Sequence, residues 1–362
     1  MEVSSGTLPN SEFWKGKRVL VTGHTGFKGT WLTNWLHELG STVMGISLPI
    51  AESSTSNYAY HADRELMCDL SETGFESAVL AFNPNIIFHL AAQSIVSTGY
   101  NDPLTTFKTN VIGTARILGA AQECKELEAC LIITTDKVYD PALPGPYREG
   151  DRLGGHDPYA ASKASAELVS LSWPRTIPGL VTLRAGNVIG GGDWSLDRLI
   201  PDLMRSWSGG QDAVLRDPKG VRPWQHVLEP LSGYLVCAEK ASAGALDGQR
   251  SFNFGPSKSD MVAVSEITKF AANVWNELDS GGRNATFVSS KQKVFHETAE
   301  LTLDSSLAKR VIDWHGLLTW NEAIELTVRW YFDFFEGINS RELIKRDLDL
   351  FKTKLKGDLV ND

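Results

Sequence analysis

Arg18-Val19-Leu20-Val21-Thr22-Gly23-His24-Thr25-Gly26-Phe27-Lys28-Gly29 is the stretch that decides the fold of this 362-residue chain. Its first five residues form a short apolar run that stops at a glycine, and the sequence then reads as a helix from about Gly29 to Leu39. A strand passing through a glycine turn into a helix opens a βαβ unit. The spacing is G-x-x-G-x-x-G; such glycines let the backbone approach a pyrophosphate. The helix start adds free N–H groups and about half a positive charge. Gly23, Thr25, Gly26, Phe27, Lys28 and Gly29 therefore read as a dinucleotide-binding turn.

Working outward, the alternation continues. Thr42 to Ser47, Ile86 to Leu90, Leu131 to Thr135 and Leu180 to Arg184 are strand candidates. Pro103 to Lys125 and Pro158 to Leu171 are helix candidates. Near-continuous apolar strands alternating with helices indicate an α/β fold, a doubly wound parallel sheet of the Rossmann kind. The expected division is a dinucleotide-binding domain over 1–186 and a smaller substrate lobe over 187–362. The segment near 251–255 is expected to return to the first sheet, and 321–352 to form helices.

With 35 Lys and Arg against 44 Asp and Glu, the net charge is −9, which argues against a nucleic-acid partner. A phosphorylated small ligand remains open, since it needs only a few local cations. Cys68, Cys124, Cys130 and Cys237 lack metal-ligand spacing, so no metal site is expected and the thiols read as reduced. No stretch approaches the ~20 apolar residues of a membrane span. A cytoplasmic protein is expected.

Tyr159-Ala160-Ala161-Ser162-Lys163 places a phenol and an ammonium one helical turn apart. Thr134-Thr135 ends a strand between this pair and the glycine turn. A tyrosine with a pKa near ~10 becomes a base only when positive charge favours the phenolate. At the end of the second strand, Gly45-Ile46-Ser47-Leu48-Pro49 carries neither an acid for an NAD ribose nor an arginine for a 2′-phosphate, so this stretch leaves NAD and NADP undecided. Asp69, beside Leu70, suits the adenine edge or a plain loop turn.

The glycine turn, Leu90-Ala91-Ala92-Gln93, the Thr135–Tyr159–Lys163 set and Asn187 together resemble the extended short-chain dehydrogenases/reductases that act on nucleotide sugars. Thr135-Asp136-Lys137-Val138-Tyr139-Asp140, Arg184-Ala185-Gly186-Asn187-Val188-Ile189-Gly190-Gly191-Gly192-Asp193-Trp194 and Arg222-Pro223-Trp224-Gln225-His226 narrow the likeness to the CDP-glucose 4,6-dehydratases. The resemblance implies NAD as cofactor, held by the glycine turn, Asp69, Leu70, Leu90, Ala91, Ala92, Gln93, Tyr159 and Lys163. It implies a CDP-sugar substrate contacted by Asn187, Arg198, Arg222 and His296, the two arginines by forking onto phosphate. Catalysis would fall to Thr135, Asp136, Lys137, Tyr159 and Lys163. Tyr159 would take the C4 hydroxyl proton, Asp136 would protonate the C6 hydroxyl, and Lys137 would sit near the C5 proton. Adjacent Asp136 and Lys137 are expected to favour an ion pair and to titrate together. The resemblance further implies a homodimer through the Pro103 and Pro158 helices and a role in deoxysugar and lipopolysaccharide O-antigen biosynthesis. A 4-epimerase, a 4,6-dehydratase acting on a different nucleotide sugar, and a protein that senses a dinucleotide without turnover are the competing readings. The epimerase would not need Asp136 and Lys137.

Overall fold

The computed structural model describes residues 8–50, 62–174, 176–256, 260–279, 281–282, 284–289 and 301–358. Seven strands build the main sheet: β1 (Arg18–Thr22), β2 (Thr42–Ser47), β3 (Arg64–Met67), β4 (Ile86–His89), β5 (Ala129–Ile133), β6 (Leu180–Ala185) and β7 (Ser251–Phe254). Their order is β7-β6-β5-β4-β1-β2-β3, and every neighbouring pair is parallel. The order reverses between β1 and β4, so a crevice opens at the carboxyl ends of those strands, where ligands bind in sheets of this kind.

The apolar runs form strands because both faces of the sheet are covered. Val19, Val21, Phe88, Leu131 and Ile133 point to one face and meet Trp31 and Trp35 of helix α1 (Phe27–Glu38). Leu20, Ile87, Cys130 and Ile132 point to the other and meet Ile117 and Leu118. Helix α2 (Pro158–Ser172) carries Tyr159, and α3 (Leu228–Ser242) packs on the α1 side with Leu231 and Leu235. The first cluster runs on without a break through Trp207, Trp275 and Trp330 of the later chain. The last helix, Ser340–Asp358, lies against α1, with the Trp35 and Phe351 rings 6.0 Å apart.

β3 has no counterpart among the expected strands. Arg64-Glu65-Leu66-Met67 is a largely exposed edge, so it shows no apolar run. The long helix from Pro103 ends at Gln122, and one π-helical turn, Lys108–Ile112, interrupts it. β7 does return to the sheet, beside β6.

Candidate active site

The glycine turn owes its shape to sterics. Gly23 has φ +73°, and a Cβ there would stand 2.8 Å from Ala91 N. A Cβ on Gly29 would lie 2.1 Å from Gly23 O, so α1 can start this close to the turn only with glycine at that place. Gly26 is the N-cap of α1, and no side chain caps it. A cradle that a Cβ would fill, below an uncapped helix start, fits a dinucleotide pyrophosphate. Thr25 N–H donates to Ser47 Oγ at 3.3 Å, which joins the turn to the end of β2.

Asp157 and Pro158 set the start of α2. The Asp157 carboxylate accepts from Ala160 N–H at 2.9 Å, and Pro158 occupies the first helical position. Tyr159 thus lies in the first turn and Lys163 one turn later, both buried. Lys163 Nζ donates to Ile133 O at 2.9 Å. The Thr135 hydroxyl hydrogen-bonds the Tyr159 phenol and donates to Asp136 Oδ1 at 2.9 Å. Asp136 Oδ2 is buried without a hydrogen-bond partner, beside Gly186, where a Cβ would stand 3.0 Å away.

Burial dominates the electrostatics. It pushes the Tyr159 phenol up to about 12, against the Thr135 hydrogen bond and the Arg198 guanidinium, which pull it down. Burial lowers Lys163 to about 8, with Glu167 opposing. Burial, together with the cations of Arg198 and Lys163, lowers Lys28 to about 7, while Asp136 and Asp193 work the other way. Lys28, Asp136, Tyr159, Lys163 and Arg198 therefore share one electrostatic cluster.

The structure corrects one expectation. Asp136 and Lys137 form no ion pair. They occupy a single 3₁₀ turn, Asp136–Val138, whose successive side chains project in different directions. Asp136 is buried on Thr135, and Lys137 is half-exposed.

Among the remaining expected residues, Asp69 Oδ1 accepts from Ser71 N–H and Oγ at 2.8 and 2.7 Å. Burial raises that carboxyl, but these bonds outweigh it and hold it below its ordinary value. Leu70 packs in the core cluster of the α1-distal face. Leu90 and Ala91 lie against Gly23, and Ala92 follows them before Gln93. Gln93 is tied down through its N–H to Asn110 Oδ1 at 2.8 Å and its side chain to Thr106 at 2.8 Å. Arg198 pairs with Asp193 at 3.0 Å. Asn187 O accepts from Gln225 N–H at 3.3 Å, and Arg222 lies in a short strand, Val221–Pro223. His296 lies outside the described residues.

Asn110 and Asp193 escaped the sequence reading. Asn110 Nδ2 donates to Gln93 O at 2.9 Å and Ser162 Oγ at 2.8 Å, which joins the loop after β4 to α2. Nothing local marked Asn110, which is one polar residue among several in Thr105-Thr106-Phe107-Lys108-Thr109-Asn110. Asp193 stands next to last in the Arg184–Trp194 stretch and is the partner of Arg198.

A family model described as GDP-mannose 4,6 dehydratase matches residues 20–327. The CDP-glucose 4,6-dehydratase of Salmonella typhimurium is 37% identical over 359 residues, covering 94% of this chain and 97% of that protein. Among solved structures, the epimerase Mth375 from Methanothermobacter thermautotrophicus has a TM-score of 0.76 at 22% identity, over 93% of this chain and 96% of that one. The dTDP-glucose 4,6-dehydratase of Bacillus anthracis in complex with NAD has a TM-score of 0.70 at 20% identity, over 88% of this chain and 97% of that one. At those identities the two structures speak for the fold alone.

Proposed function

Since the chain belongs to the GDP-mannose 4,6 dehydratase family, we propose that it converts CDP-glucose to CDP-4-keto-6-deoxyglucose and water with NAD. The nucleotide and the sugar come from the Salmonella relative. The observation that carries dehydration is Asp136, a buried carboxylate with an unpartnered oxygen beside the Thr135–Tyr159 pair. A 4-epimerase has no use for an acid there.

The glycine turn from Gly23 to Gly29, Asp69, Leu70, the Leu90–Gln93 stretch, Tyr159 and Lys163 would hold the cofactor. NAD, when bound, supplies a reversible hydride acceptor for the sugar. Tyr159, as phenolate, takes the proton of the C4 hydroxyl, with Thr135 positioning it and Lys163 stabilising its charge. The C4 ketone so formed acidifies C5, and Lys137 would take that proton. Asp136 gives a proton to the C6 oxygen, which leaves as water; the hydride taken from C4 would then return to C6 and a proton to C5, completing the 6-deoxy sugar. Asn187, Arg198 and Arg222 would orient the diphosphate and sugar from the 187–362 part of the chain, with His296 near the nucleotide.

Incubation with CDP-glucose deuterated at C4 tests the reading. We expect a 4-keto-6-deoxy product with deuterium at C6 of the same molecule, resolved by mass spectrometry and NMR. Deuterium kept at C4 in an inverted sugar would mark an epimerase and end the proposal.

The same reading includes a homodimer, a cytoplasmic location and deoxysugar biosynthesis of the lipopolysaccharide O-antigen kind. No helix among the described residues is long and apolar enough to cross a membrane. Tyr100, Leu104, Phe107, Ile112 and Leu168 are exposed large apolar side chains on the Val96–Ile112 segments and α2, and Leu104 is 83% exposed. Neighbouring apolar groups of this kind mark interaction faces. Leu104→Glu should weaken self-association about 100-fold or more, because a buried interface would then take up an unpaired charge. Sedimentation equilibrium of both proteins measures this; equal dimer affinities would remove the face from the interface.

A further inference from the structure

Behind the Tyr159–Lys163 face lies a buried ion pair with no task in the reaction just described. Glu167 stands one turn beyond Lys163 on α2, and Arg184 is on β6; both are enclosed. Arg184 Nε donates to Glu167 Oε1 at 2.8 Å and Oε2 at 3.0 Å, and Nη2 donates to Oε2. Thr134 Oγ1 reaches Oε1 at 2.5 Å, and Thr134 N–H donates to Leu183 O at 2.8 Å. One residue earlier, Ile133 O accepts from Lys163. α2 thus grips the end of β5 twice, at points one helical turn apart. Replacing a buried pair by apolar residues is often neutral or stabilising, so stability alone does not call for Glu167 here.

We propose that Glu167 is a positioning residue of this site: it clamps the end of β5 to α2 and supplies the negative charge that faces the Lys163 ammonium. The proposal rests on the reading of Tyr159 and Lys163 as the acid–base pair. The clamp acts on Thr134, and the next two residues, Thr135 and Asp136, are the ones whose distance from Tyr159 matters.

The charge argument follows from what surrounds Lys163. Lys28 of α1 repels it, His89 of β4 is kept neutral by burial at about 3, and Tyr159 is a neutral phenol in the free protein. Asp136, past the end of β5, acts on Lys28 and Tyr159. Glu167 is the group that opposes the desolvation of Lys163, as its i, i+4 place on one helix face allows. Arg184 shares the same carboxylate and tempers the attraction.

The test follows competitive acetylation of Lys163 by acetic anhydride across pH, read by mass spectrometry, beside the pH profile of kcat/KM. Glu167→Gln should lower the Lys163 labelling midpoint by about one pH unit. It should lower the alkaline limb of kcat/KM by the same amount, so the loss at high pH exceeds that at low pH about tenfold. Glu167→Asp should restore most of the midpoint. The paired variant Glu167→Leu, Arg184→Met removes both charges and keeps a folded core in case the single variant does not fold. Its midpoint should fall between wild type and Glu167→Gln. Equal midpoints in all four proteins, with activity lost evenly across pH, would make Glu167 a brace only and overturn the proposal. Absence of any product from wild-type protein, with the midpoint shifts intact, would instead sink the reaction reading and leave the charge assignment standing.

Discussion

Tyr159→Phe is expected to lower turnover of CDP-glucose by about 10²–10⁴-fold, the usual scale for a lost acid–base group. One hydroxyl is deleted at the start of a helix whose cap, Asp157 on Ala160 N–H, is untouched, so the fold should survive. The size of the effect follows from the environment of the phenol. Burial holds it at about 12, so a base acting near neutrality must come down about five pH units, about 7 kcal/mol. The Thr135 hydrogen bond and the Arg198 guanidinium already oppose burial at that value, so the drop is left to what binds, above all a positively charged nicotinamide. A phenylalanine has nothing for these groups to stabilise. The check is steady-state product formation alongside a circular dichroism spectrum. A folded variant keeping a tenth or more of wild-type turnover would remove Tyr159 as the base.

Asp136→Asn should lose about as much product, by a different route. The amide fills the same space beside Gly186 and still accepts from Thr135, yet it has no acidic proton for the C6 oxygen. Oxidation at C4 depends on Tyr159 and should persist. CDP-glucose added to this variant should therefore raise the absorbance of reduced nicotinamide and hold it there, while little 4-keto-6-deoxy sugar forms. Because Asp136 and Lys137 are not paired, Lys137→Met should not reproduce this result through Asp136, and the two variants can be read separately. Dehydration at the normal rate in Asp136→Asn would show that the carboxylate only supports Thr135.

How much of this was legible beforehand depends on the range of the forces involved. β1 and β2 begin and end where their apolar runs do, because the glycine turn and Pro49 punctuate them locally. β3 was invisible because an exposed edge strand buries nothing that would leave a pattern. Tyr159 and Lys163 could be paired from spacing, since helical geometry alone puts them on one face. Thr135 could be added because strand ends in such sheets gather at one crevice. The partners of Asp136 could not be read that way. Adjacency suggested Lys137, but a 3₁₀ turn separates neighbours, and the near groups, Gly186 and the Thr135 hydroxyl, are fixed by sheet packing. Lys28 reads locally as part of a phosphate turn; its link to Arg198 and Asp193 arises between residues far apart in the chain and leaves no local signal.

The return of the chain to the sheet as β7 has a consequence for how this protein can be made and cut. β6 is an inner strand only because Ser251–Phe254 lies beside it. A fragment stopping at Ala185 would carry a raw sheet edge, open to pairing with other copies. It would also strip Arg184 of its bond to Ser251 Oγ and Tyr139 of its bond to Asn253. On the ribosome, the strand that bears Arg184 must wait for the whole of residues 186–250 before its neighbour emerges. The intervening segment, α3 included, is therefore an excursion stitched at both ends into one sheet, and the half that would cradle the dinucleotide is not a module that can be excised and expected to fold alone.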